Sequence, residues 1–253
     1  MIRISHILIF LIWLVYSNEI AAQDIIELRN PSFEGVPELG ETYFSLLNWY
    51  DCKKLNVNDS PPDVHGSSSN FWEVTQKPVH GNTFVGMVVR QTETNEAIGQ
   101  LLSDPMLSRN CYTMSAYLSY DKGYRSALTK GGDSVYFNTP TKLIIWGGTI
   151  KCEKKQILDE SIAIDHETWK EYKFKFTPKE NYSYLTLEAF YDTPVLLPYN
   201  GNILIDHLSS IVQINCDENV PEKPLFADTQ NTTTGRSNPT SSSSTTAKSN
   251  RQV

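Results

Sequence analysis

The sequence has no run of about twenty apolar residues, the length that a bilayer-crossing helix needs. Its longest such stretch, Ile7 to Tyr16, holds ten. It has no basic excess: 22 Lys and Arg stand against 29 Asp and Glu, for a net charge of −7. A polyanionic nucleic acid therefore meets no electrostatic footprint. There is no Gly-x-Ser-x-Gly elbow, no His-Glu-x-x-His and no Gly-rich phosphate loop, which removes the commonest nucleophile, metalloprotease and nucleotide signatures. No Cys-x-x-Cys and no Cys/His pair at ligand spacing occurs, so a zinc site is excluded. No stretch repeats apolar residues at helical spacing for long, which argues against a bundle.

What is present starts with an export pattern. Arg3 gives a basic start, the apolar run follows, then polar Ser17, Asn18 and Glu19, then Ile20-Ala21-Ala22-Gln23. This predicts a signal peptide over residues 1–22, cleaved after Ala22, with an uncleaved anchor as the alternative. No cysteine sits at the junction to carry a lipid. The product is expected to be secreted, periplasmic or on the outer cell surface, and not membrane-spanning. Its four cysteines, Cys52, Cys111, Cys152 and Cys216, are an even set for an oxidising compartment, and two disulfides have three possible pairings. With all four bridged, no thiol remains as a nucleophile. Composition shifts near Pro221, and from Asp228 onward the chain is Thr, Ser, Asn and Gln with almost nothing apolar. Such a segment cannot offset its ordering entropy. The expected organisation is one domain over 23–220 and a disordered tail over 221–253.

Within the domain the apolar period is two. Tyr112, Met114, Ala116, Leu118 and Tyr120 share one face; Tyr172, Phe174 and Phe176 alternate with Lys173 and Lys175; Leu185, Leu187 and Ala189 alternate with Thr186, Glu188 and Phe190. These read as half-buried strands. Further strands are expected at 25–29, 42–49, 83–89, 98–103, 142–146 and 203–214. Residues 93–102 read as a loop entering a strand. Pro61-Pro62, Gly131-Gly132, Gly147-Gly148 and Asn200-Gly201-Asn202 punctuate the pattern. The fold class is all-β, a two-sheet antiparallel sandwich or jelly roll.

Two polar groups stand out. Asp206 follows Ile203-Leu204-Ile205 directly, and a carboxylate beside such a run must be paired, protonated or cation-bound. Glu34 sits beside Phe33 near the other end. If the first and last strands are neighbours, the two acids share a hard cation such as calcium; otherwise Glu34 is a solvated acid and Asp206 caps a bulge. The second group is Asp63, His65, Asn82, Arg90, Glu93 and Glu96, which reads as a polar ligand pocket, as a catalytic pair built on Asp63 and Glu96, or as ordinary surface.

Several motifs together resemble the carbohydrate-binding jelly rolls of the galactose-binding-like superfamily. Asn30-Pro31-Ser32-Phe33-Glu34 with Trp49 is similar to that family's N-x-x-F-E … W opening. Gln100 in Ile98-Gly99-Gln100 and the strand Tyr112-Thr113-Met114-Ser115 match its middle, and Ile203-Leu204-Ile205-Asp206-His207-Leu208 its last strand. Gly81-Asn82-Thr83-Phe84-Val85-Gly86 and Pro198-Tyr199-Asn200-Gly201-Asn202 look like exported domains of the Bacteroidetes group, often joined to an outer-membrane peptidoglycan-binding domain.

The resemblance implies a structural calcium held by Glu34 and Asp206 with Asn30, although His207 stands where relatives often have Asp or Asn. The family's strand order implies Cys111–Cys216 and Cys52–Cys152. It also implies a non-catalytic domain that binds a glycan or cell-envelope polysaccharide. Pyranose C–H faces stack on aromatic rings, and the available rings are Trp72, Trp146, Tyr191, Tyr199, Tyr50 and Tyr136. The expected platforms are Trp72, Trp146 and Tyr199, with Asp63, His65, Arg90 and Glu96 as polar partners. Trp72, after a polar loop, and Tyr199, in a turn, are the best placed for exposure. Trp49 and Trp169 are expected in the core. The rival readings are an adhesive envelope protein with an outer-membrane or surface protein partner, and a polysaccharide-active enzyme using Asp63 and Glu96.

Overall fold

The structure is a computed structural model and describes residues 24–40, 44–52, 60–128, 132–192 and 197–220. The expected signal segment and tail lie outside these. The described strands are β1 (Ile25–Ile26), β2 (Tyr50–Asp51), β3 (Asp63–Gly66), β4 (Thr83–Val89), β5 (Ala97–Met106), β6 (Cys111–Ser119), β7 (Arg125–Ala127), β8 (Ser134–Tyr136), β9 (Thr139–Gly148), β10 (Gln156–Glu160), β11 (Lys170–Phe176), β12 (Tyr182–Tyr191), β13 (Gly201–Asp206) and β14 (Ile211–Ile214). One short 3-10 turn, Phe71–Glu73, is the only helical element among the described residues.

Twelve of the described strands form a two-layer jelly-roll sandwich, and β7 and β8 pair with each other in a separate two-stranded sheet. In the first layer β11 pairs with β6, and the other edge of β6 pairs with β14 and then β13. β13 continues to β4 and β3, and β14 to β1. The second layer runs β10-β9-β12-β5-β2. All these pairings are antiparallel. The layers join at one corner, where Gly201 and Asn202 pair parallel with Thr139 and Pro140. Asn202, fully buried, closes that corner. Its side chain accepts from the Asp121 amide and donates to the Asp121 and Phe137 carbonyls.

The alternations place the core between the layers. Met114, Ala116, Leu118, Tyr172, Phe174 and Phe176 meet Leu143, Ile145, Leu185, Leu187 and Ala189. Burying such side chains contributes about 1.5–3 kcal/mol each and drives the layers together. Trp49 lies in this core as expected. Trp169 does not: it is partly exposed on the outer side of the first layer, edge-on to Phe84, with its indole N–H on the Lys77 carbonyl.

Three expected strands are shorter or broken. The 25–29 strand stops at Ile26, because the Gln100 side chain takes over both backbone groups of Arg29: its Oε1 accepts from the Arg29 amide and its Nε2 donates to the Arg29 carbonyl. The described part of 42–49 is a turn, with Trp49 N–H on the Leu46 carbonyl and Asn48 at φ 68°; only Tyr50–Asp51 pairs. The 203–214 strand breaks at His207, whose φ of 49° lies in the left-handed region where extended pairing ends. Residues 93–96 form the expected loop entry, with the Arg90 amide on the Thr94 carbonyl and Glu93 at φ 63°.

The disulfides are Cys52–Cys152 and Cys111–Cys216, closing separations of 100 and 105 residues. The second follows from register, since Cys111 opposes Ile214. Replacing Cys111 and Cys216 together by Ser is expected to lower unfolding free energy by up to about 4–5 kcal/mol in the chain-entropy account, measured by denaturant unfolding. A change of a few tenths would refute that constraint.

Candidate functional site

Asp63, His65, Arg90 and Glu96 come together, but inside the protein. They belong to β3 and to the connection from β4 to β5, and all are buried. Asp63 Oδ1 accepts from the Gly40 amide at 2.6 Å and from the Trp72 indole N–H at 3.2 Å; its Oδ2 accepts from the Tyr124 hydroxyl. Glu96 pairs with Arg90 and accepts from the Val88 amide at 3.0 Å, while Arg90 also donates to Ser60 Oγ at 2.6 Å. Burial pushes the Asp63 and Glu96 carboxyls up, and Arg90 opposes both shifts. Asn82 and Glu93 are exposed, and among the described residues Glu93 meets the cluster through its amide, which donates to the Arg90 carbonyl.

A glycosidase pair needs a sugar between its two carboxyl groups. Among the described residues both carboxyls are buried and spent on backbone, Tyr124, Trp72 and Arg90. The expected ligand contacts by Asp63, His65, Arg90 and Glu96 are thus corrected to a buried structural network. Trp72 belongs to it as a cover. The turn that carries it is strained, with φ 52° at Trp72 and 63° at Glu73. The ring packs over the cluster of Phe84, Val88, Tyr124, Phe137 and Leu204.

His65 is 1% exposed, stacks on Phe84 and meets the edge of Tyr124. Neither ring nitrogen has a hydrogen-bond partner among the described residues. A Cβ on Gly86 would sit 2.7 Å from its Nε2, so the glycine makes room for the ring. Burial lowers its pKa to about 3, with Asp121 pulling the other way.

Tyr199 is also tethered. Its hydroxyl donates to the Pro140 carbonyl at 2.9 Å and accepts from the Asp192 amide, and its ring is edge-on to Tyr191 against the core. Tyr199 is therefore half-buried packing rather than a platform.

Glu34 and Asp206 do approach one another, on two sides of one loop. Glu34 accepts from the amides of Asn82 and Thr83. Asp206, fully buried, accepts from the amides of Val79, His80 and His207 at 2.7, 3.0 and 2.7 Å. Asn30 Oδ1 accepts from the Glu34 amide, and its Nδ2 donates to the Glu34 and Leu47 carbonyls. Calcium needs six to eight oxygens with lone pairs turned inward. These oxygens face N–H donors instead, and among the described residues no group of three or more His, Cys, Asp or Glu is placed to hold a metal. The residues as arranged do not fit the ion. Burial raises the Asp206 carboxyl to about 6, against the three amides that lower it.

The outer face of the second layer is different. Across it run Ile157, Trp146, Thr186, Gly99 and Tyr50, in register on five adjacent strands. Trp146 is partly exposed, and its indole N–H donates to Glu188 Oε2 at 2.7 Å. Glu188, 3% exposed, also holds Asn95 and Lys154 through Oε1. A Cβ on Gly99 would lie 2.8 Å from Cys52 Sγ, so the Cys52–Cys152 bridge roofs one end of this face. Trp146 is a candidate on sequence grounds; Glu188, Asn95 and Lys154 are not. The available signal was that Glu188 alternates with inward Leu187 and Ala189, which puts it beside Trp146 once β9 and β12 pair.

No family model matches the chain, and no curated protein does. Among solved structures, the chain is similar to an arabinose-bound GH51 α-L-arabinofuranosidase (12% identity, 74% of this chain, 26% of that chain, TM-score 0.46). It is similar to the K2 cleaved adhesin domain of Lys-gingipain (12%, 77% and 100%, TM-score 0.43). It is also similar to the CBM22-1 xylan-binding domain of Paenibacillus barcinonensis Xyn10C (12%, 76% and 96%, TM-score 0.41). The chain spans about a quarter of the arabinofuranosidase. At these scores the likenesses carry no argument about function. No helix among the described residues is long and apolar enough to cross a membrane, and two disulfides fit a non-cytoplasmic, oxidising compartment.

Two predictions follow from the buried acids and imidazole. The unfolded chain protonates His65 below about pH 6.5, and the folded chain does so only near pH 3. Stability tied to this ring is complete above the unfolded value and falls as pH drops toward 3. His65→Phe leaves no hydrogen bond broken and is expected to flatten that fall by up to about 1.4 kcal/mol per pH unit, measured by urea unfolding between about pH 4 and 7. An unchanged slope sinks the account. Thermal unfolding in excess calcium and in chelator is expected to coincide; a clear upward shift with calcium would restore the ion to the Glu34–Asp206 loop.

Proposed function

We propose that this chain is a non-catalytic glycan-binding domain whose ligand lies on the outer face of β10-β9-β12-β5-β2, with Trp146 as the stacking platform. The observation that carries the reading is the Trp146–Glu188 pair. Hydrogen bonding fixes the indole's orientation while part of the ring stays in contact with solvent. A pre-oriented aromatic loses little freedom on binding, and an apolar sugar face stacks on it. Trp72 is also partly exposed and hydrogen-bonded to a carboxylate, but its ring packs over the Phe84 cluster, and Tyr199 packs against the core, whereas Trp146 stands in a strand on the outer face of the second layer. Glu188 acts as a positioning residue, because its carboxylate holds the indole, Asn95 and Lys154 at once.

Trp146→Ala is expected to weaken glycan binding roughly five- to thirtyfold, about 1–2 kcal/mol, with little change in unfolding temperature. Trp72→Ala and Tyr199→Ala are expected to do the reverse, lowering stability and leaving affinity intact. Affinity electrophoresis beside thermal unfolding separates the two patterns. Binding that survives Trp146→Ala and is lost in Trp72→Ala would move the site to the first layer.

A further inference from the structure

The charges around Trp146 restrict what kind of glycan the face accepts. β9, β10 and their connection carry Lys142, Lys151, Lys154 and Lys155, and each ammonium is already committed. Lys154 pairs with Glu188, Lys142 with Glu160 at 3.0 Å and Lys155 with Glu180 at 2.8 Å. Lys151 stands 4.2 Å over the Tyr50 ring. None of the five strands of this layer contains an arginine, the residue whose planar fork best recognises carboxylate or sulfate. The chain as a whole is acidic, at −7, so a polyanion is repelled at longer range as well.

A uronate or sulfate brought to Trp146 would have to compete with Glu188 for Lys154, and success would strand a carboxylate that is 3% exposed, at a cost no exposed pair repays. Sugar hydroxyls make no such demand. A neutral sugar can stack on the ring without displacing any of these charged contacts.

We infer that the Trp146 face takes a neutral polysaccharide and rejects one bearing carboxylates or sulfates; this rests on the glycan-binding reading of the same face. The test is a glycan array spanning neutral and acidic polysaccharides, probed with the full chain, Trp146→Ala and Ile157→Lys. Ile157 is 44% exposed and directly opposes Trp146, so lysine there adds an uncommitted cation beside the platform.

The expected result is that the native chain binds neutral glycans only, that Trp146→Ala loses them, and that Ile157→Lys gains polygalacturonate binding by about tenfold or more, with the gain disappearing as salt shortens the screening length. Native binding to polygalacturonate or a sulfated glycan, sensitive to Trp146→Ala, would overturn the inference and leave the site standing. An Ile157→Lys protein that is folded and gains nothing would show that charge does not set the choice, and would overturn it too. Binding to no glycan at all would instead remove the glycan-binding reading.

Discussion

Two carboxylates gripping one loop hold the first layer in its shape. The chain between Val79 and Thr83 leads into β4, and Asp206 and Glu34 take its amides from opposite sides. Asp206 ends β13, and its own carboxylate binds the amide of His207, where the backbone turns left-handed. The same contact thus stops one strand, redirects the chain toward β14 and anchors the entry to a third strand. Glu34 performs the complementary task from the N-terminal loop, itself fixed by Asn30 and by the Trp49 indole N–H on the Asn30 carbonyl at 3.0 Å. Burying an ionised Asp206 opposes this arrangement, as its raised pKa shows. The three amides are what make it tolerable, because a carboxylate out of water must exchange its hydration for donors.

The alternations at 112–118, 172–176 and 185–189 were legible because period two survives any detail of the turns: once one face is buried, a one-residue slip would expose all of it. The strand breaks were not legible, because each depends on a partner distant in sequence. Gln100 substitutes for strand pairing at Arg29, and nothing near residue 29 announces it. His207 looks like one more residue in an apolar run until the amides at 79 and 80 demand its neighbour's carboxylate. The proximity of Glu34 and Asp206 was readable from the motif order, whereas the identity of what lies between them was not. A carboxylate binds an amide and a cation with the same lone pairs, and only the geometry of the intervening loop decides between them.

Glycan platforms posed the same difficulty in sharper form. Trp72 follows a polar loop and Tyr199 sits in a turn, both of which suggest exposure. Trp146 lies inside a strand between Ile145 and Gly147, a context that suggests burial. In the structure Trp72 and Tyr199 pack back against their neighbours, and Trp146 lies on the outer face of its sheet, partly exposed. A turn residue on the first layer can fold back over its sheet, whereas a strand residue on the second layer has its direction fixed by the pleat, and Trp146 alternates outward from Ile145.

Trp72 and Trp146 are built alike, each with its indole N–H on a carboxylate from a neighbouring strand, Asp63 on β3 and Glu188 on β12. What separates them is the layer above. Over the first sheet, Tyr124 and Phe137 fill the space around Phe84, Val88 and Leu204, with the partly buried Trp72 and Trp169 packed against them, so Asp63 and His65 are buried beneath a second small core and the titrations of both are displaced. Over the second sheet the Cys52–Cys152 bridge lies against Gly99, and Trp146 stays partly exposed among the described residues. The bridge can lie that low because position 99 has no side chain. The glycine and the disulfide together set how closely the chain can lie on that end of the sheet.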